Sequence, residues 1–169
     1  MVANLTVGKK KYADVEEEII ETREKLEDLQ KKLISLTDED AEAFKPLAAA
    51  YGMPKGTEEE RIEKERVMEQ ALCAASEVPL EIMETMLKAM HHLKVLGVKG
   101  SRLALSDVGV GILFAQAALE GASLNVFINT KMMKNRECAE AMNQRAETAI
   151  QKGRILKEAV YAAVLKGIK

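Results

Sequence analysis

The chain has 169 residues, a net charge of −2 and only two cysteines, and 47% of its residues are hydrophobic while 4% are aromatic. This length predicts one domain with a substantial core. The charge balance excludes a basic nucleic-acid-binding surface, and two distant cysteines at no metal-binding spacing indicate reduced thiols in a cytoplasmic protein.

The first clear helix begins near Val15, where apolar positions recur at alternating intervals of four and three residues up to Leu36. This is a heptad pattern with one polar member, Thr22, and the opposite face of the helix is charged. The members are Val15, Ile19, Thr22, Leu26, Leu29, Leu33 and Leu36. The pattern predicts a two-sided helix that packs against its neighbours.

If this helix continues, its next inward positions are Asp40, Ala43, Leu47 and Ala50. A carboxylate then stands where an apolar contact is expected, in the stretch LTDEDAEAF. The alternative is a new helix beginning at Thr37, with Asp40 as the third residue of a capping box. Pro46 also argues against a straight continuation.

Further helices follow after the YGMPKG turn. Thr57 and Glu60 form a second capping-box pattern, and Pro79 either kinks this helix or begins another. We expect Gly97 and Gly100 to bracket a loop, and Ser106 to cap a central helix over 107–131.

The segment 107–131 is long enough to span a bilayer, but its Gly and Ala content and its polar side chains favour the core of a bundle or a subunit interface. A last helix is predicted over about 135–166. Its inner face is expected to carry Cys138, Met142, Arg145, Ala149, Leu156, Val160 and Ala163. The fold class is therefore all-α, an antiparallel bundle of about five to six helices in a single domain over 1–169, and its long two-sided helices make a homodimer the default expectation.

Six motifs in order resemble the cyclodeaminase/cyclohydrolase family of folate enzymes. They are VGKKKYADVEEEI, DEDAEAF, YGMPKGTEEE, EVPLE, SDVGV and LEGASLNVFIN. The resemblance covers nearly the whole chain and implies a dimerising helical bundle, with folate bound near the dimer contact. It implies that Asp40, the second Asp of the D-x-D-A-E-A-F motif, is the catalytic carboxylate.

The resemblance implies either of two reactions. The first is the conversion of 5-formiminotetrahydrofolate to 5,10-methenyltetrahydrofolate with release of ammonia, and the second is hydrolysis of the methenyl compound to 10-formyltetrahydrofolate. In either reaction Asp40 would move a proton, and burial and the nearby Asp38 and Glu39 would raise the pKa of Asp40 toward neutrality.

We expect folate contacts from a further set of residues, namely Lys9, Lys10, Tyr12, Asp38, Asp107, Asn125 and Asn129. The lysines could bind the negatively charged glutamate tail of a folate, but a run of lysines is also common at a solvent-exposed helix start. The two asparagines could form hydrogen bonds with the pterin, but they could equally bond to a facing helix. Asp107 could contact the pterin, but a carboxylate is also favourable at a helix N-terminus.

We expect no metal site, because the adjacent His91 and His92 diverge on a helix and have no third ligand at metal spacing. We also expect no cofactor beyond the tetrahydrofolate substrate, no nucleic acid and no membrane.

The family carries a Gly-rich P-G-G-G-S segment ahead of an M-V-x-x-x-T-x-G stretch, and this sequence begins inside that stretch at Met1 and Val2. Either the start is assigned downstream of the natural one, or the chain lacks that half and its folate site is incomplete. An alternative from a different functional class is therefore a non-catalytic helical dimer that keeps the fold without a complete site.

Overall fold

The computed structural model describes all residues 1–169 and contains helices without any strand. A short helix α1 (Val2–Thr6) and a 3₁₀ turn (Lys10–Tyr12) precede four long helices. These are α2 (Glu16–Tyr51), α3 (Glu58–Lys99), α4 (Leu105–Met132) and α5 (Arg136–Ile168). The all-α prediction is confirmed.

Helix α2 is continuous from Glu16 to Tyr51 and passes through both Thr37 and Pro46. Thr37 is not an N-cap, because its hydroxyl donates to the carbonyl of Leu33 (3.0 Å) within the same helix. The capping-box alternative for Thr37 and Asp40 is therefore wrong. Every member of the heptad pattern is buried or half-buried.

Helix α3 begins with the predicted capping box. The Thr57 hydroxyl accepts from the backbone N–H of Glu60 (3.2 Å), and the Glu60 carboxylate accepts from that of Thr57 (3.1 Å). Pro79 lies inside the helix and does not divide it. Helix α3 includes Gly97 and ends at Lys99, so of the two glycines only Gly100 lies beyond it. The loop is therefore shorter than the one predicted between Gly97 and Gly100.

The boundaries of α4 and α5 differ slightly from expectation. A 3₁₀ turn (Arg102–Ala104) leads into α4, and Ser106 is an exposed residue inside the helix, not its cap. The inner face of α5 contains Met142, Ala149, Leu156 and Val160 as predicted. Arg145 and Ala163 are exposed instead, because Ala146, Gly153 and Val164 occupy the buried stripe.

Helix α3 is the centre of the bundle, because it contacts α2, α4 and α5, whereas α2 packs chiefly on α3. Helix α1 contacts both α2 and α4 at one end of the molecule. It is held there by the hydroxyl of Thr6, which accepts from the backbone N–H of Ser101 (2.8 Å). The sequence pattern predicts α4 either at the middle of the bundle or at a subunit interface, and within one chain the middle belongs to α3.

The helical stretch Arg102–Met132 meets the length and composition requirements for a membrane span, and 44% of its most apolar window is buried inside the protein. Its buried face packs on α3 and α5. Its other face is exposed and carries large apolar side chains, among them Phe114, Leu124 and Ile128.

Candidate functional site

Asp40 lies on the face of α2 that packs toward α3, as the heptad pattern predicts. It follows the fully buried Leu36 by one turn and precedes the buried Leu47 by two. The Asp40 side chain is half-buried in a single copy of the chain, and Asp38 is exposed. Continuity of α2 therefore places one carboxylate of the acidic stretch at the edge of the core.

The other acidic residues of this stretch have partners. Glu39 accepts from the Ser35 hydroxyl (2.7 Å) and lies 3.8 Å from Lys32, while Glu42 pairs with Lys45 (2.6 Å). No basic side chain lies within 4.0 Å of Asp40. Asp40 is thus a half-buried carboxylate whose charge is available to a ligand.

An apolar groove of about 350 Å³ begins one turn before Asp40. Six residues of α2 and one of α3 line it: Leu26, Leu29, Gln30, Leu33, Ile34, Thr37 and Ala89. The sequence identified three of these leucines as core positions but gave no sign that they border an open groove. Because the Ala89 side chain on α3 is small, the space that these three leucines of α2 face stays open.

Helix α4 contributes Asn129 near the same level of the bundle. Its Nδ2 donates to the backbone carbonyl of Ala75 (3.0 Å) on α3. The sequence left open whether Asn129 contacts the pterin or a facing helix. Its Nδ2 contacts the facing helix α3, while its Oδ1 atom remains available to another partner. Asn125 lies one turn earlier and is exposed.

Contacts across α3 give the relative heights of Asp40 and Asn129. Helices α2 and α3 are antiparallel, because Lys64 reaches the carbonyl of Tyr51 (2.8 Å) and Lys32 pairs with Glu81 (2.9 Å). Asp40 therefore stands at about the height of Ala75, the residue that Asn129 contacts. Asp40 and Asn129 flank α3 at one level.

The remaining predicted ligands lie toward the opposite end of the bundle. Tyr12 Oη accepts from the backbone N–H of Arg102 (3.3 Å), and this bond holds the pKa of the phenol below its ordinary value. Lys9 and Lys10 are exposed beside it, and Asp107 is half-buried in the first turn of α4.

The structure therefore divides the predicted site residues into two groups. Asp38 and Asp40 on α2 and Asn125 and Asn129 on α4 lie nearer one end of the bundle and make up the first group, and Lys9, Lys10, Tyr12 and Asp107 lie nearer the other end and make up the second. Along α4 the distance from Asp107 to Asn129 is about 33 Å at 1.5 Å per residue. No pterin ring contacts both groups within one copy.

Larger grooves of about 430 and 570 Å³ border α5. In the 430 Å³ groove the Arg145 guanidinium is already paired, since it binds both Glu77 and Glu84 at 3.0 Å. No cluster of three or more His, Cys, Asp or Glu side chains has the geometry of a metal site, and Nδ1 of His91 lies 2.8 Å from the Leu87 carbonyl oxygen. The smaller groove, which ends one turn before Asp40, is the better candidate because its lining is mostly apolar, whereas polar and charged side chains dominate the two larger ones.

Comparison with known proteins agrees with the motif resemblance. The family model for formiminotransferase-cyclodeaminase matches residues 1–148. Methenyltetrahydrofolate cyclohydrolase of Methylorubrum extorquens is 36% identical over 164 residues, which cover 97% of this chain and 79% of that protein. Formimidoyltransferase-cyclodeaminase of Gallus gallus is 29% identical over 165 residues, which cover 98% of this chain but only 29% of that protein.

A solved structure shows the same fold. Formiminotetrahydrofolate cyclodeaminase from Thermotoga maritima superposes with a TM-score of 0.78 and 29% sequence identity, covering 99% of this chain and 78% of that one. The match with the family model extends over most of the helices that carry the two groups of site residues. The chain belongs to the formiminotransferase-cyclodeaminase family.

Proposed function

We propose that this protein is a folate-dependent one-carbon enzyme in which Asp40 transfers a proton at the carbon that joins N5 and N10 of tetrahydrofolate. The observation that carries the proposal is the half-buried Asp40 carboxylate, without a basic partner, one helical turn beyond Thr37, the last α2 residue that lines an apolar groove. The groove suits a flat ring system, and the free carboxylate suits the cationic carbon of 5,10-methenyltetrahydrofolate.

The first candidate reaction is hydrolysis of 5,10-methenyltetrahydrofolate. Water adds to the methenyl carbon while Asp40 accepts one of its protons, and the resulting tetrahedral carbon carries a hydroxyl group. The hydroxyl then loses its proton and becomes the formyl C=O as the bond from this carbon to N5 breaks and N5 takes up a proton. The products are 10-formyltetrahydrofolate and one proton released to solvent. Support comes from the relative named methenyltetrahydrofolate cyclohydrolase, which the chain matches over most of both lengths.

The second candidate is cyclodeamination, which is also the function that the sequence favoured first. N10 attacks the formimino carbon on N5, Asp40 accepts the N10 proton, and the same carboxyl group protonates the departing nitrogen, which leaves as ammonia. Both reacting nitrogens belong to one molecule, so the enzyme supplies chiefly geometry and proton transfer. The fold match with formiminotetrahydrofolate cyclodeaminase of Thermotoga maritima favours this alternative.

Asn129 is proposed to orient the pterin. Its Nδ2 is held by the Ala75 carbonyl, so its Oδ1 has a fixed direction and can accept from a ring N–H or amino group. A side chain already fixed by the protein loses little rotational freedom when a ligand binds. This role makes Asn129 a binding residue, while Asp40 touches the reacting atoms.

An absorbance assay of the purified protein tests the proposal, because only the methenyl compound among these folates has an extended chromophore across N5 and N10. We expect methenyltetrahydrofolate to disappear faster than it does without protein. Formation of the chromophore from formiminotetrahydrofolate, with one ammonia per turnover, would instead assign cyclodeamination. If neither substrate reacts faster than in buffer, the catalytic proposal is wrong and the non-catalytic helical protein takes its place.

A further inference from the structure

Cys73 on α3 and Cys138 on α5 are far apart in the sequence, but the fold places their side chains next to each other. Both thiols are free, and both side chains are half-buried against the core. Burial raises the pKa of the Cys73 thiol, and the adjacent Cys138 side chain raises it further. The two sulfur atoms therefore share one small site between α3 and α5.

Two polar contacts show that α3 and α5 run in the same direction beside this site. Glu69 of α3 accepts from the backbone N–H of Asn135, just ahead of α5 (2.9 Å). Further along both helices, Glu77 pairs with Arg145 (3.0 Å). Cys73 lies midway between Glu69 and Glu77, and residues four apart share a face of a helix. The face of α3 that meets α5 therefore carries Cys73.

Cys138 stands at nearly the same height on α5. Its backbone N–H donates to the side chain of Asn135 (3.0 Å), which fixes it in the first turn of the helix. From the contact between Glu69 and Asn135, Cys73 lies about 6 Å along α3 and Cys138 about 4.5 Å along α5, at 1.5 Å per residue. Cys138 and Arg145 are seven residues apart and share a face of α5, so this face turns Cys138 toward α3.

We propose that Cys73 and Cys138 form a reversible disulfide bond, which links α3 to α5 when the protein meets a small disulfide oxidant such as glutathione disulfide. A disulfide needs two Cβ atoms about 3.5–4.5 Å apart, which side chains on facing helices reach only at one height. The contacts of Glu69 and Glu77 hold the two helices in register on both sides of the pair. The bond therefore forms between helices that are already aligned.

The exchange takes place in two balanced steps. The Cys138 thiolate attacks one sulfur of the oxidant, so that a mixed disulfide forms on Cys138 and one small thiolate leaves. Cys73 then loses its proton and attacks the Cys138 sulfur, and the second small thiolate leaves as the bond between the cysteines forms. The protein gives up two electrons and two protons, and the oxidant becomes two thiol molecules. Burial disfavours the Cys73 thiolate, which assigns Cys73 to the second step, where the attack is intramolecular.

Mass spectrometry of the full chain tests the bond. The reduced protein is incubated with glutathione disulfide, unfolded in acid and labelled with N-ethylmaleimide. We expect a chain that takes up no label, carries no glutathione and yields a peptide pair joined through Cys73 and Cys138, and dithiothreitol should restore both thiols. Two labelled cysteines, a glutathione adduct that persists on the parent, or a disulfide between two chains would overturn the proposal.

Single-cysteine variants test the order of the steps. Cys73→Ser should accumulate glutathione on Cys138, because the second thiol is missing. Cys138→Ser should take up glutathione more slowly, because the remaining Cys73 thiol is held in its protonated form. Circular dichroism of both variants checks that the helices are retained. Faster uptake by Cys138→Ser than by Cys73→Ser would overturn the assigned order.

Thermal unfolding tests whether the two cysteines are aligned before they react. A bond between aligned helices restricts the unfolded chain without straining the folded one, so the oxidised parent should melt at a higher temperature than the reduced parent. The double variant with Cys73→Ser and Cys138→Ser is the matched control, and the oxidant should leave its melting temperature unchanged. An oxidised parent that melts no higher than the reduced one would contradict the alignment. These measurements need no folate, so they stand apart from the proposed function.

Discussion

Asn129 on α4 supplies the hydrogen bond that Pro79 denies to Ala75 on α3. In an α-helix the carbonyl of Ala75 would accept from the N–H of residue 79, but proline has none. Nδ2 of Asn129 donates to that carbonyl at 3.0 Å in its place. Pro79 therefore stays inside a continuous helix because a neighbouring helix satisfies the group that it exposes.

A double-mutant cycle should show this dependence. Asn129→Ala leaves a buried carbonyl without a partner and should lower the free energy of unfolding by about 1–3 kcal/mol. In a Pro79→Ala background the helix bonds that carbonyl itself, so the same substitution should cost much less. Urea unfolding of the four proteins measures both values, and equal costs in the two backgrounds would contradict the compensation.

Asp40→Asn should lower turnover by about 10²–10⁴-fold, the usual contribution of a positioned acid–base group. The amide has nearly the same shape, so the circular dichroism spectrum and the melting temperature should change little. Glu42→Gln is the matched control, because Glu42 lies on the same helix, is exposed and pairs with Lys45 (2.6 Å). Equal losses in both variants would mean that Asp40 has no special role.

Gly153→Ala should destabilise the contact between α4 and α5. A Cβ at this position would lie 2.5 Å from Oε1 of Gln116, a side chain only 6% exposed, and 3.3 Å from Cδ1 of Leu119. Overpacking of this kind costs about 1–3 kcal/mol, which exceeds the gain of up to about 1 kcal/mol in helix propensity.

Gly52→Ala is the control for that substitution. Gly52 has ordinary helical angles, and an added Cβ would make an ordinary contact, 3.5 Å from the carbonyl oxygen of Ala49. Thermal unfolding should show a loss for Gly153→Ala and little change or a slight gain for Gly52→Ala. An unchanged melting temperature for Gly153→Ala would show that Gln116 moves aside freely.

Stability should fall between pH 7.5 and 5.5, in part through His92. Burial, then the neighbouring His91 and Lys25, lower the pKa of His92, while Glu21 opposes the shift. Below the ordinary histidine pKa of about 6.5, His92 therefore binds a proton in the unfolded chain more readily than in the folded chain. The free energy of unfolding falls as the pH is lowered further, until the pH reaches the pKa of His92 in the folded chain. His92→Gln should flatten the dependence in urea unfolding at the two pH values, and an identical slope would exclude His92 as its source.

The sequence predicted the inward face of α2, and the position of Asp40 on it, well because their signals are local. A heptad pattern shows which face of a helix is inward, and extending it by one turn places Asp40 at the edge of the core without knowledge of the partner. The capping box at Thr57 is equally local. Where two local signals competed, at Thr37, the apolar pattern prevailed because burial of Leu36 and Leu47 in one helix outweighs a single cap.

The contacts that the sequence left open depend on distant parts of the chain. The partner of Asn129 follows from Pro79 on another helix, and the groove beside Asp40 follows from Ala89 and from the way α2 packs on α3. Likewise, the separation of Asp107 from Asp40 is visible only when the antiparallel order of the helices is known. Motif matching brings such residues together in a list, whereas the fold sets Asp107 and Asn129 about 33 Å apart along α4 at 1.5 Å per residue.

Helix α3 closes both turns at one end of the bundle. Lys64 donates to the carbonyls of Tyr51 (2.8 Å) and Met53 (2.9 Å), and Glu69 accepts from the backbone amides of Lys134 (2.8 Å) and Asn135 (2.9 Å). The backbone amides of Lys134 and Asn135, which donate to Glu69, should therefore exchange with solvent more slowly than those of α1, a single short turn at the far end. Side chains of α3 thus tie down both turns at the end of the bundle nearer to Asp40.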